Sequence, residues 1–263
     1  MIKEKIFVRG FPNMMRLLLF FFTVSLHTGC GIKKSASLPV FSHNPFHREF
    51  PRLSESQIDS LSKLYGDGKT FINEYLEPTL IALSHYPELK DVQIEFRYSK
   101  EKTTMAARPI PITVLGKHRY QILINNQADF EGILLSDVPF NAQIGIIAHE
   151  LSHIADYHSH NLWGILGVSF RYFDRHRKPL FEKEIDMHTV LRGLGWQLYD
   201  WAMFSMYGSN RATEEYKMFK RATYMKPEEI EQMILHLSRY SSGLPSTPNI
   251  QTASPNFTSH PPN

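Results

Sequence analysis

His149 and His153 stand four residues apart, with Glu150 beside the first, in the run His149-Glu150-Leu151-Ser152-His153. Imidazole is a good ligand for zinc, and side chains four apart on a helix lie on one face. A helix through this run would let both rings reach one ion. Glu150, adjacent to the first ring, can hold a metal-bound water without coordinating the metal itself. The pentapeptide is short and the chain carries 13 histidines, so its surroundings must carry part of the argument.

A catalytic zinc site takes three protein ligands and keeps one open position. One known continuation, HExxHxxGxxH, fails here. Asp156 occupies its glycine position and Ser159 its histidine position, with His158 and His160 each one residue off. Downstream, the run Phe181-Glu182-Lys183-Glu184-Ile185-Asp186 offers acids at helical spacing. Glu182 and Asp186 are four apart and share a face, whereas Glu184 shares its face with His188.

Glu182 with Asp186 resembles the ExxxD element of the gluzincin metallopeptidases, such as the thermolysin-like and HtpX-like (prenyl-protein protease) families. The resemblance covers two short elements rather than the whole domain. It implies that His149, His153 and Glu182 are the zinc ligands. Glu150 is then the general base, and Asp186 orients His149. The implied reaction is hydrolysis of a peptide bond in a protein or peptide substrate, by a water that Zn2+ acidifies and Glu150 deprotonates. An oxyanion donor is also needed. His188 and Tyr199 are candidates, and neither is singled out.

The elements that position these residues read as an α+β fold, a small zincin-like sheet followed by a helical bundle that carries the HExxH helix. Residues 54–83 look mainly helical, interrupted near Gly66 and Gly68. Val92, Ile94, Phe96 and Tyr98 alternate with polar residues, which predicts a strand; Tyr120, Ile122 and Ile124 predict another. Pro109 and Pro111 break the stretch between them. The strand at Arg119–Asn125 is either interior or a site of pairing for an extended substrate. From Asn141, Ile144, Ile147, Ala148, Leu151, Ile154 and Ala155 form an apolar stripe at helical spacing, with the histidines on a separate face. Gly145, one turn before His149, is expected to leave that face open. Further helices are expected at about 162–172, 179–193, 196–207, 212–224 and 227–240. The aromatic segments Leu162–Phe170 and Trp196–Tyr207 are expected to pack in the core.

The formal charge of +3 resides in the first 29 residues, where Lys3, Lys5, Arg9 and Arg16 face a single acid, Glu4. The rest of the chain balances, which gives no electrostatic case for nucleic-acid binding. Residues 1–29 combine a basic leader with an apolar run from Leu17, too short to cross a bilayer, and so resemble a secretory signal peptide. Cys30, the one cysteine, follows Thr28 and Gly29 and resembles the lipidated residue of a bacterial lipoprotein, although His27 stands where Leu is usual. Residues 30–51 then form a lipidated tether, 52–240 a metallopeptidase domain, and 241–263, rich in Ser, Thr, Pro and Asn, a disordered tail. The expected location is the bacterial cell envelope, anchored in the membrane at Cys30 and facing the periplasm. Gly31 after Cys30 matches the outer-membrane pattern. The alternative is a zincin-like lipoprotein that binds proteins or assists envelope assembly with little hydrolysis.

Overall fold

The computed structural model of the protein describes residues 48–110, 119–159 and 177–237. The signal segment, Cys30, the expected helix at 162–172 and the tail at 241–263 lie outside the described residues.

Helix α1 (Glu55–Tyr65) starts where Ser54 and Gln57 satisfy each other's backbone N–H groups. Satisfying those orphan donors is what lets a helix begin there. The short strand β1 (Lys69–Thr70) and helix α2 (Leu76–Ser84) follow, the interruption falling at Gly66 and Gly68 as the sequence suggests. Strand β2 (Gln93–Tyr98) buries Ile94 and Phe96 and turns Gln93 and Arg97 to solvent. Tyr98 departs from the expected alternation; it is exposed, and its hydroxyl donates to Glu74 at 2.8 Å.

Strands β3 (Met105–Pro109) and β4 (Arg119–Ile124) complete a mixed four-stranded sheet in the order β1-β2-β4-β3. β2 and β4 are parallel, and β3 runs antiparallel to β4. This order corrects the reading of Arg119–Asn125 as a site of peptide pairing, since β4 lies between two strands. β3 is one edge of this sheet and β1 the other, and β3 falls in the stretch that Pro109 seemed to exclude. Ile110 N–H bonds Arg119 O at 2.8 Å, and Asn125 N–H bonds Thr104 O at 2.9 Å. By antiparallel alternation, Met105, Ala107 and Pro109 turn their backbone groups to the open side. Pro109, which has no N–H, therefore costs the ladder nothing.

Helix α3 (Phe140–Ser159) is the centre of the domain, packed by the sheet, α2, α4 (Lys178–Thr189) and α5 (Gly195–Met203). It is buried on nearly every side from Ile144 to Ala155, so the apolar stripe and the histidine face are both covered. Gly145, expected from sequence to leave a face open, does not do so. It is the contact point with α5: a Cβ there would lie 2.1 Å from Gln197 O. Between α4 and α5 the chain widens into a π turn, Val190–Leu194, where Gly193 takes φ 91°. That left-handed conformation favours glycine. A second π turn, Phe204–Gly208, follows α5. Helices α6 (Glu214–Thr223) and α7 (Pro227–His236) close the bundle, α7 with Pro at its first turn as its sequence suggests. The α+β architecture expected from sequence is the one observed.

Candidate metal centre

α3 presents His149 and His153 on one face, and α4 lies across them with Glu182. His149 Nε2 and His153 Nε2 are 3.2 Å apart. Glu182 Oε2 is 3.3 Å from the first and 3.2 Å from the second. All three side chains are buried, and their ligand atoms lie within 4.8 Å of one another, close enough to hold a metal ion. Glu184 is exposed on another side of α4.

Asp186, one turn beyond Glu182, ties this cluster to the frame. Its Oδ1 lies 2.8 Å from His149 Nδ1, and its Oδ2 accepts from Met225 N–H at 2.8 Å. Holding Nδ1 directs Nε2 of the same ring toward Glu182 and His153. His153 Nδ1 is buried with no hydrogen-bond partner among the described residues.

The electrostatics follow from crowding these groups out of water. Burial alone would lower the His149 imidazole, but the hydrogen bond and charge of Asp186, with Glu182 and Glu150, raise it to about 10. Burial alone would raise the Glu182 carboxyl, but His153 and His149 outweigh it and hold it well below the usual carboxylate range. Both shifts favour positive charge within the cluster, which a divalent cation would also supply. Two imidazoles and a carboxylate are a donor set that zinc takes in catalytic sites.

Glu150 is also buried, on the side of α3 that meets the sheet. Its Oε2 accepts from Ala107 N–H of β3 at 2.6 Å. One carboxylate oxygen is thereby fixed between the histidine helix and the open sheet edge.

A second network, unmarked in the sequence reading, sets α3 against α4. Tyr86 Oη donates to Ala148 O at 2.6 Å and lies 2.8 Å from Ser152 Oγ, which lies 2.9 Å from Thr189 Oγ1. Ser152 is the inner polar residue of HExxH, so its partner across the helix pair was the available signal. Burial holds the Tyr86 hydroxyl in its neutral form, pushed up to about 12.

Of the two oxyanion candidates, Tyr199 is placed away from the triad, whereas His188 lies within electrostatic reach of His153. Tyr199 packs against Trp196 at 5.7 Å and beneath Arg48 at 5.5 Å. Arg48 O accepts from Asn141, eight residues and about 12 Å of helix before His149. His188 is half-buried beyond Asp186, where burial and Arg192 lower its pKa. Two tyrosines pack on the cluster: Tyr224, its ring 5.5 Å from that of His149, and Tyr157, stacked on His153 at 6.1 Å.

Comparison of the chain with protein-family models, with curated proteins and with solved structures finds no match.

Proposed function

We propose that this protein is a zinc-dependent peptidase of the bacterial cell envelope, held to the membrane through Cys30. The observation that carries the reading is the joint placement of Glu150: beside a buried His149–His153–Glu182 cluster, and bonded to the edge strand. His149, His153 and Glu182 would hold the ion, which when bound supplies a Lewis acid for the carbonyl and an acidified water. Glu150 would take the proton, with one carboxylate oxygen held by Ala107 N–H. Asp186 keeps His149 in the tautomer that offers Nε2. β3 is the edge strand beside Glu150, and an extended peptide could lie along it through backbone groups other than Ala107 N–H, which Glu150 holds.

The test pairs metal analysis with proteolysis. The purified protein should bind one zinc and cleave unfolded proteins, and chelation should stop cleavage until zinc is restored. Glu150→Gln should retain the zinc and lose hydrolysis by several orders of magnitude, because an amide cannot accept the proton. A protein that binds no zinc sinks the reading. One that binds zinc but is inert supports instead the protein-binding lipoprotein with little hydrolysis.

A further inference from the structure

The open side of β3 has lost its hydrogen-bond donors beside Glu150. The bonds of Ile110 N–H to Arg119 O and of Asn125 N–H to Thr104 O fix the alternation along the strand. Met105, Ala107 and Pro109 therefore turn their backbone groups away from β4. Ala107 N–H is held by Glu150 Oε2 at 2.6 Å, and Pro109 has no N–H to offer. Met105 keeps its N–H, but it is buried at the start of the strand, and its carbonyl accepts from Thr103 Oγ1 at 2.7 Å. Two acceptors remain. Ala107 O and Pro109 O have no hydrogen-bond partner among the described residues, and both residues are only half-buried.

An ordinary sheet edge presents N–H and C=O groups together, and an added strand answers each with its opposite. Here the answer can only be one-sided. Carbonyls two residues apart on a strand face the same way, about 6–7 Å from each other, which matches the N–H groups of residues i and i+2 of a second extended chain. Such a chain can donate to Ala107 O and Pro109 O, while its own carbonyls find no free donor at either residue. A proline on an edge also discourages pairing between copies. That does not account for the second lost donor, which is taken by the acid of HExxH itself.

We propose that β3 recognises substrate by its N–H groups alone. Ala107 O and Pro109 O accept from two alternate residues beside the scissile bond, and proline at either of those substrate positions is rejected. Ala107 and Pro109 are then specificity-determining residues. The inference rests on the peptidase reading and names the backbone feature that its substrates must carry.

The parent ligand is a short peptide spanning a bond that the purified wild-type protein cleaves in unfolded casein. Binding is measured calorimetrically on the zinc-loaded full chain carrying Glu150→Gln, so that the ligand is not consumed. One series of peptides carries a single ester in place of an amide, which removes one N–H at a time. A second replaces single carbonyls by thiocarbonyls, which accept more weakly. Esters at two positions, i and i+2, should each weaken binding about fivefold, in line with one net hydrogen bond. Thiocarbonyls at the same residues should leave it nearly unchanged. Pro109→Ala returns a donor to the edge, so the parent peptide should bind about fivefold more tightly and one thiocarbonyl should then matter. Zinc content and melting temperature of that variant control for folding. If no ester weakens binding, if thiocarbonyls cost as much as esters, or if folded Pro109→Ala binds as before, the one-sided edge is overturned and the peptidase reading stands. If the wild-type protein binds no zinc or cleaves no peptide, the peptidase reading falls and this inference falls with it.

Discussion

Glu182 and Glu184 are the same side chain two residues apart, about 200° around a helix, and the fold gives them opposite surroundings. Glu182 is 2% exposed among two imidazoles, while Glu184 faces outward. Glu182→Ala should therefore weaken zinc binding severely and Glu184→Ala should leave it nearly intact. Asp186→Asn should fall between, at a loss of about 10–100-fold, since it releases His149 without removing a donor. Zinc titration of the three variants against a competing chelator ranks them; a Glu184→Ala protein that loses the metal while Glu182→Ala keeps it would reverse the assignment. The raised His149 pKa adds a pH test. In the metal-free protein this ring keeps its proton up to about 10, against an ordinary value of 6.5. Its contribution to stability is fully present below 6.5 and lost as pH rises through about 10. Zinc must displace that proton, so uptake at pH 8 should release about one, and apparent affinity should rise with pH between 7 and 9. Calorimetry in buffers of different ionisation enthalpy counts the protons; a count of zero would show that His149 is already neutral.

At the scale of elements, the site depends on how closely α3 approaches α5. Gly145 allows the backbones to meet, with a Cβ at that position only 2.1 Å from Gln197 O. Gly145→Ala should lower stability by about 1–3 kcal/mol, because a backbone atom cannot yield as a flexible side chain can. This would reverse the usual gain of Gly→Ala inside a helix. Thermal unfolding measures it, and an unchanged or raised melting temperature would mean that α5 shifts freely. The Tyr86–Ser152–Thr189 network acts at the same level. It joins the turn between the two histidines to the turn after Asp186, so the ligands of two helices share one frame.

For the whole molecule, the charge distribution and the single cysteine make the argument. The body of the chain is neutral, and the excess of basic residues sits ahead of Cys30. No helix among the described residues is long and apolar enough to cross a membrane. A lipid at Cys30 would then hold the protein at the membrane surface. Cys30→Ser should abolish incorporation of labelled lipid and release the protein from the membrane fraction. Labelling that persists in the variant would remove the lipoprotein assignment.

Helical spacing made much of the candidate site legible in the sequence. Four residues return a helix to the same face, so His149 with His153, and Glu182 with Asp186, could be paired before their helices were placed. Alternation marked β2 and β4 for the same reason, since a strand repeats its face every two residues. Contacts between elements have no such local signature. That α4 crosses α3 with Asp186 at His149, that Ala107 N–H meets Glu150, and that Gly145 is a contact rather than an opening depend on residues 37, 43 and 52 positions apart. β3 was hidden because its proline reads as a strand breaker until sheet order shows that its backbone faces outward. Local periodicity determined which residues share a face; only tertiary packing decided which faces meet, because that choice is made by burial of the chain as a whole.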